Sequence, residues 1–82
     1  MNGALLAKLQ PRAQAALAHS PVAALRELRV EQVADGLLLS GSVSSFYHKQ
    51  LAQEAVRTVD RTVRIINAVR VEHSVDVYLH DD

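Results

Sequence analysis

The sequence predicts an α+β fold: an α-β-β-α-β sandwich in which two helices pack on one face of a small three-stranded mixed sheet. Three observations predict it. Apolar residues recur at helical spacing in two stretches, near residues 11–19 and 45–60. They alternate with a period of two in three others, near 28–34, 37–43 and 65–71. Asp35-Gly36 joins the first two alternating stretches as a two-residue hairpin signal.

The 82 residues allow one domain at most. Residues 1–10 read as an N-terminal extension with a short apolar cluster, Leu5, Leu6 and Leu9. Pro11 suits a first helical position, where its missing N–H is not needed. Ala13, Ala16 and Leu17 then follow at i, i+3 and i+4, predicting a helix from Pro11 to His19. Ser20-Pro21 ends it, because the residue before proline avoids the helical region. Val22 to Leu25 has room for one more turn.

From Leu28 the period is two. Pairing Ala34 with Leu37 sets Val30 opposite Gly41 and Leu28 opposite Val43, which gathers the apolar side chains of both strands on one face. The other face carries Arg29, Glu31, Val33, Leu38, Ser40 and Ser42, with Val33 and Leu38 as an exposed cross-strand pair. Gly36 reads as a turn residue. Gly41 reads as a point of close approach or a bulge. Ser44 or Ser45 caps the second helix. Its inward stripe is Leu51, Ala52, Ala55, Val56 and Val59, and one of Phe46 and Tyr47 is expected to staple its start to the core. A third strand runs from Ile65 to about His73, parallel to the second or the first. Asn67 sits at a core-parity position, where it is expected to satisfy backbone groups. Residues 74–82 form a tail that continues the alternation through Val75, Val77 and Leu79, with a break expected near His73-Ser74.

Composition excludes several classes. Leu, Ile, Val and Phe make up about 30% of the residues, above the level typical of disorder. Nine basic and nine acidic residues cancel, which weighs against a strongly basic nucleic-acid binder. The absence of cysteine removes disulfides and thiolate zinc sites. No signal-peptide pattern and no apolar run long enough to span a membrane is present, so the chain as written reads as cytoplasmic, or as periplasmic or envelope-bound if it is a piece of a longer protein. No histidine pair has helical metal-ligand spacing, and the serines near His48 read as capping residues rather than nucleophiles. No cofactor, metal or catalytic residue is therefore expected.

Asp35-Gly36, then Leu37-Leu-Leu-Ser-Gly-Ser-Val43, then Lys49, Ala52 and Ala55, then Ile65-Ile-Asn-Ala-Val-Arg-Val71 together resemble the BON (bacterial OsmY and nodulation) domain family. The resemblance spans residues 12–73, so 11–73 is taken as the BON-like domain. The chain departs from the family pattern in two places. Arg61-Thr62 stands where a Gly-Val is usual, and the hairpin turn is one residue shorter. The resemblance implies a non-enzymatic bacterial module linked to the cell envelope, stress response and phospholipid surfaces.

Two candidate surfaces follow. The first is a basic patch for anionic phospholipid: Lys49, Arg57, Arg61 and Arg64, with Tyr47 as an interfacial anchor. The second is a protein-interaction or self-association face made of Val33 and Leu38 together with Val75, Val77 and Leu79, acting through the open sheet face, a sheet edge or the tail. A homo-oligomer is compatible with it. One substitution tests the strand parity: Leu39→Asp puts an unpaired charge in the core and unfolds the domain, whereas an unchanged thermal transition would reject the assignment.

Overall fold

The computed structural model describes residues 2–72. Its elements in chain order are α1 (Gly3–Ala18), a 3-10 turn at Ala23–Leu25, β1 (Arg29–Val33), β2 (Gly36–Ser40), β3 (Ser42–Val43), α2 (Phe46–Arg57), β4 (Ile65–Asn67) and β5 (Arg70–Val71). β1 and β2 are antiparallel, and β4 returns parallel to β2, giving the order β1-β2-β4. The expected α+β architecture is present: two helices packed against a small three-stranded mixed sheet.

α1 starts at Gly3 rather than at Pro11. The Asn2 side chain caps it by accepting from the Leu5 N–H at 2.8 Å. Leu6, Leu9, Ala13 and Leu17 are buried at spacings of three and four residues, so one apolar stripe runs through Pro11 without a break. Pro11 and Ala7 lie on the exposed side, where a missing helical hydrogen bond is exchanged for water. Proline marks a helix start only when the apolar stripe also begins there, and here the stripe begins earlier.

The hairpin keeps the expected parity but shifts by two residues. Val30 pairs with Leu39 and Val33 with Gly36, so the turn residues are Ala34 and Asp35. Val33 is therefore opposite Gly36, and Leu38 opposite Glu31; they are not a cross-strand pair. A shift of two leaves every side chain on its face, which is why Leu28, Val30, Leu37, Leu39 and Val43 are all buried.

Gly36 is a strand residue rather than a turn residue, while Gly41 is the expected point of close approach and has a positive φ as well. Gly36 has no positive φ. A Cβ there would lie 2.5 Å from the Arg64 carbonyl oxygen, so Gly36 is required by the close approach of the returning strand. Gly41 is the residue with positive φ, +122°, and a Cβ on it would meet Leu28 Cδ2 at 2.7 Å.

β2–β3 and β4–β5 form one parallel ladder with a constant register. Leu37 pairs with Ile65, Leu39 with Asn67, and Val43 with Val71. The N–H groups of Ala68, Arg70 and Glu72 donate to the carbonyls of Leu39, Gly41 and Val43 at 2.9, 2.9 and 2.7 Å. The ladder therefore carries through Ala68-Val69 between β4 and β5. Asn67 fixes this stretch to α2: its Nδ2 donates to the Lys49 carbonyl at 3.0 Å and to Gln53 Oε1 at 3.1 Å, and its Oδ1 accepts from the Val69 N–H at 3.3 Å. The break expected near His73-Ser74 and the tail residues Val75, Val77 and Leu79 lie outside the described residues.

The core is shared by all layers: Leu6, Leu9 and Leu17 from α1, Leu28, Val30, Leu37 and Leu39 from the hairpin, Ala52 and Val56 from α2, and Val63 and Val69 from the return. Gly36→Ala is expected to cost about 1–3 kcal/mol, because a backbone oxygen and not a flexible side chain must move. Gly3→Ala is tolerated, since its Cβ meets only Gln32 Nε2 at 3.8 Å. Chemical denaturation of the two variants checks the contrast.

Candidate binding surface

α2 begins where β3 ends. Ser45 caps it, its Oγ accepting from the His48 N–H at 3.1 Å and its carbonyl from the Lys49 N–H at 3.2 Å. Continuing the inward stripe back from Ala52 and Val56 by one helical turn reaches His48, not an aromatic residue. His48 is accordingly half-buried. Its Nδ1 is shielded and has no hydrogen-bond partner among the described residues. Phe46 and Tyr47 point outward and are 70% and 67% exposed. Neither staples the helix to the core, contrary to the expectation. Tyr47 lies tilted against His48, with ring centroids 5.7 Å apart and planes 48° apart. Lys49, in the same turn, is half-buried.

The sequence-chosen basic patch does not assemble as one surface. Tyr47 and Arg57 are ten residues apart on one helix, a span of about 15 Å. Arg57 Nη1 donates to the carbonyls of Arg61 and Val63, both at 3.4 Å, and so closes the loop after α2. That position also complements the negative end of the helix. Arg61 is exposed and lines a shallow depression of about 410 Å³ with Glu54, Arg57 and Thr58. An anion there would face the Glu54 carboxylate and the carbonyl end of α2, both unfavourable. Arg64 lies at the hairpin instead, its Nη1 donating to Asp35 Oδ1 at 2.8 Å and Oδ2 at 3.0 Å. Both side chains are more than half exposed, so this pair adds little stability.

The open sheet face carries Val33 and Leu38, both half-buried. Leu38 has Ile66 as its register neighbour on β4. Ile66 lies off the core parity of the third strand, and its even position is the signal in the sequence that places it on the open face. The sequence missed Gln10 and Gln14, spaced i, i+4 beside the apolar stripe of α1. Gln14 accepts from the Val30 N–H and donates to the Leu28 carbonyl, both at 2.8 Å, while Gln10 donates to the Val30 carbonyl at 2.7 Å. These side chains cover the outer edge of β1.

Among the described residues no helix is long and apolar enough to cross a membrane. No family model matches this chain, and comparison with curated proteins finds no match.

Beyond Arg57 the loop is held by Asp60. The Thr62 hydroxyl donates to Asp60 Oδ1 at 2.6 Å and the Thr62 N–H at 2.7 Å. These bonds, the hydroxyl first, hold the Asp60 carboxyl below its ordinary value. A carboxyl with a lowered folded-state pKa contributes stability above its unfolded pKa and loses it as pH falls through the folded value. Asp60→Asn is therefore expected to lower stability at neutral pH and to flatten the acid limb of the stability curve. Thermal melts of both proteins from neutral to strongly acidic pH check this.

Proposed function

We propose that this chain is a non-enzymatic binding module of BON-like build that meets anionic phospholipid at a cell-envelope surface. The observation that supports it best is the pair of outward-facing aromatic side chains, Phe46 and Tyr47, at the first turn of α2. Two adjacent exposed rings expose apolar area that gains from leaving water. Aromatic rings, above all those with a polar tip, favour the membrane–water boundary. Lys49 in the same turn supplies a cation for the head groups, worth about 1 kcal/mol near an anionic surface. Arg57 and Arg61 take a lesser part, because Arg57 holds the loop and both lie at the far end of the helix. Arg64 belongs to the hairpin.

This narrows the site to Phe46, Tyr47 and Lys49. The α-β-β-α-β order is compatible with the BON resemblance, which implies the same kind of partner. A second reading, protein interaction through the open sheet face, draws on the adjacent Leu38 and Ile66.

The test is an amide NMR titration with anionic and neutral vesicles at low and high salt. Salt-sensitive changes at residues 46–49 with anionic lipid alone are expected. Replacing both aromatics, Phe46→Ser with Tyr47→Ser, is expected to weaken binding by roughly tenfold or more without altering the thermal transition, since neither ring is in the core. No response at millimolar lipid, or binding lost only with Arg57→Gln and Arg61→Gln, would overturn the proposal.

A further inference from the structure

The two edges of the sheet are treated differently. The outer edge of β1 is covered at its start by Gln10 and Gln14, whose amides occupy the Val30 N–H and the Leu28 and Val30 carbonyls. That is one way to keep a strand edge from pairing with another chain. The opposite edge is the outer side of β4–β5. The Arg64 carbonyl and the N–H groups of Ala68, Arg70 and Glu72 face β2–β3. Backbone groups alternate in direction along a strand, so those of the odd residues Ile65, Asn67, Val69 and Val71 face away from the sheet. Asn67 Oδ1 takes the Val69 N–H. Among the described residues no hydrogen bond reaches the outward N–H and C=O groups of Ile65, Asn67 and Val71. The Asn67 side chain reaches Lys49 and Gln53, so α2 lies over the core face and leaves this edge clear.

We infer that the β4–β5 edge pairs with the same edge of a second copy of this chain, antiparallel about a two-fold axis near Ala68. This goes beyond the phospholipid proposal and does not depend on it. Charge selects the register. With the axis at Ala68, Ile65 pairs with Val71 of the other copy, and their outward backbone groups exchange hydrogen bonds. Arg64, paired with Asp35 in its own chain, then stands opposite Glu72 of the other copy, paired there with Arg70 at 3.0 Å, so that the two exposed ion pairs meet with opposite charges adjacent, twice by symmetry, on the open face of the sheet. Sliding the pairing by two residues toward the β4 end sets Arg64 against Arg70, a like-charge pair, which is unfavourable. Sliding it by two the other way sets Glu72 opposite Ile66 of the other copy rather than Arg64, and the opposite-charge contact is lost. In the same register Ile66 falls beside Arg70 of the other copy, so the half-buried Leu38–Ile66 row continues onto its alkyl stem. An isologous contact of this kind closes at two copies and does not propagate.

The test is sedimentation equilibrium of the full chain from about 10 μM to about 1 mM, a range that reads weak to moderate association. A reversible monomer–dimer equilibrium is expected. Glu72→Arg is expected to weaken it by roughly tenfold, because two attractive pairs become repulsive. Adding Arg64→Glu to Glu72→Arg is expected to restore it. Both are made in an Asp35→Asn background, so that the new carboxylate has no acidic neighbour at the turn. The aromatic replacements Phe46→Ser and Tyr47→Ser leave the dimer unchanged, which separates a failure here from a failure of the phospholipid proposal. A chain monomeric throughout, or a dimer indifferent to both charge reversals, overturns the inference. So does a dimer lost on trimming residues 73–82 yet unmoved by Glu72→Arg, since the contact would then belong to the tail.

Discussion

The rest of the molecule depends on how closely the returning strand approaches the middle of the hairpin. The segment from Ile65 to Val71 lies parallel to Leu37–Val43 in one constant register. It enters beside Gly36, where the Arg64 carbonyl sits too near for any side chain. Parallel neighbours need a crossover, and α2 is that crossover. Because the odd residues of the return point to the core, Val69 is buried and Asn67 reaches up to α2. One polar side chain at a core-parity position thus fixes the height of the helix over the sheet and holds the Val69 N–H. Its amide is bonded on both ends, so its burial is compensated.

That geometry also sets what the surface offers. β3 leads directly into the Ser45 cap, and the helix phase needed to bury Ala52 and Val56 turns His48 inward and the two aromatics outward. The exposed rings are a consequence of where the inward stripe must lie. The far end of the helix is a different chemical environment, with carbonyl groups, Glu54 and an arginine already spent on loop carbonyls. The two sheet edges diverge for a similar reason. α1 lies beside β1 and lends it two glutamines, whereas nothing of that kind reaches the outer side of β4–β5 among the described residues.

Most of the architecture was legible in period alone. Alternation located the hairpin and the return, and the i, i+4 stripe located α2, because burial of one face imposes those periods directly. Parity is blind to a shift of two residues, however, so the hairpin register moved while every inward residue stayed inward. The start of α1 was hidden by Pro11, which is tolerated on the solvent side of a helix whose apolar stripe passes beneath it. The close approach at Gly41 was legible, but the role of Gly36 was not, because a glycine reports only that a side chain is excluded. Whether φ or a neighbour excludes it depends on the Arg64 backbone, 28 residues away in sequence. The same limit hid the Arg64–Asp35 pair and the glutamine cover of β1, whose partners are far apart along the chain. The split of the basic patch follows from the length of α2, which was available, and from Arg57 bonding loop carbonyls, which was not.

The most direct test of this account is the detection of scalar couplings across individual backbone hydrogen bonds by NMR. The parallel ladder predicts couplings from the Ala68 N–H to the Leu39 carbonyl, from Arg70 to Gly41 and from Glu72 to Val43. Observing all three in one chain establishes a constant register on both sides of Gly41. Couplings displaced by two residues, or absent beyond Asn67, would contradict it and with it the placement of α2 and the outward aromatics.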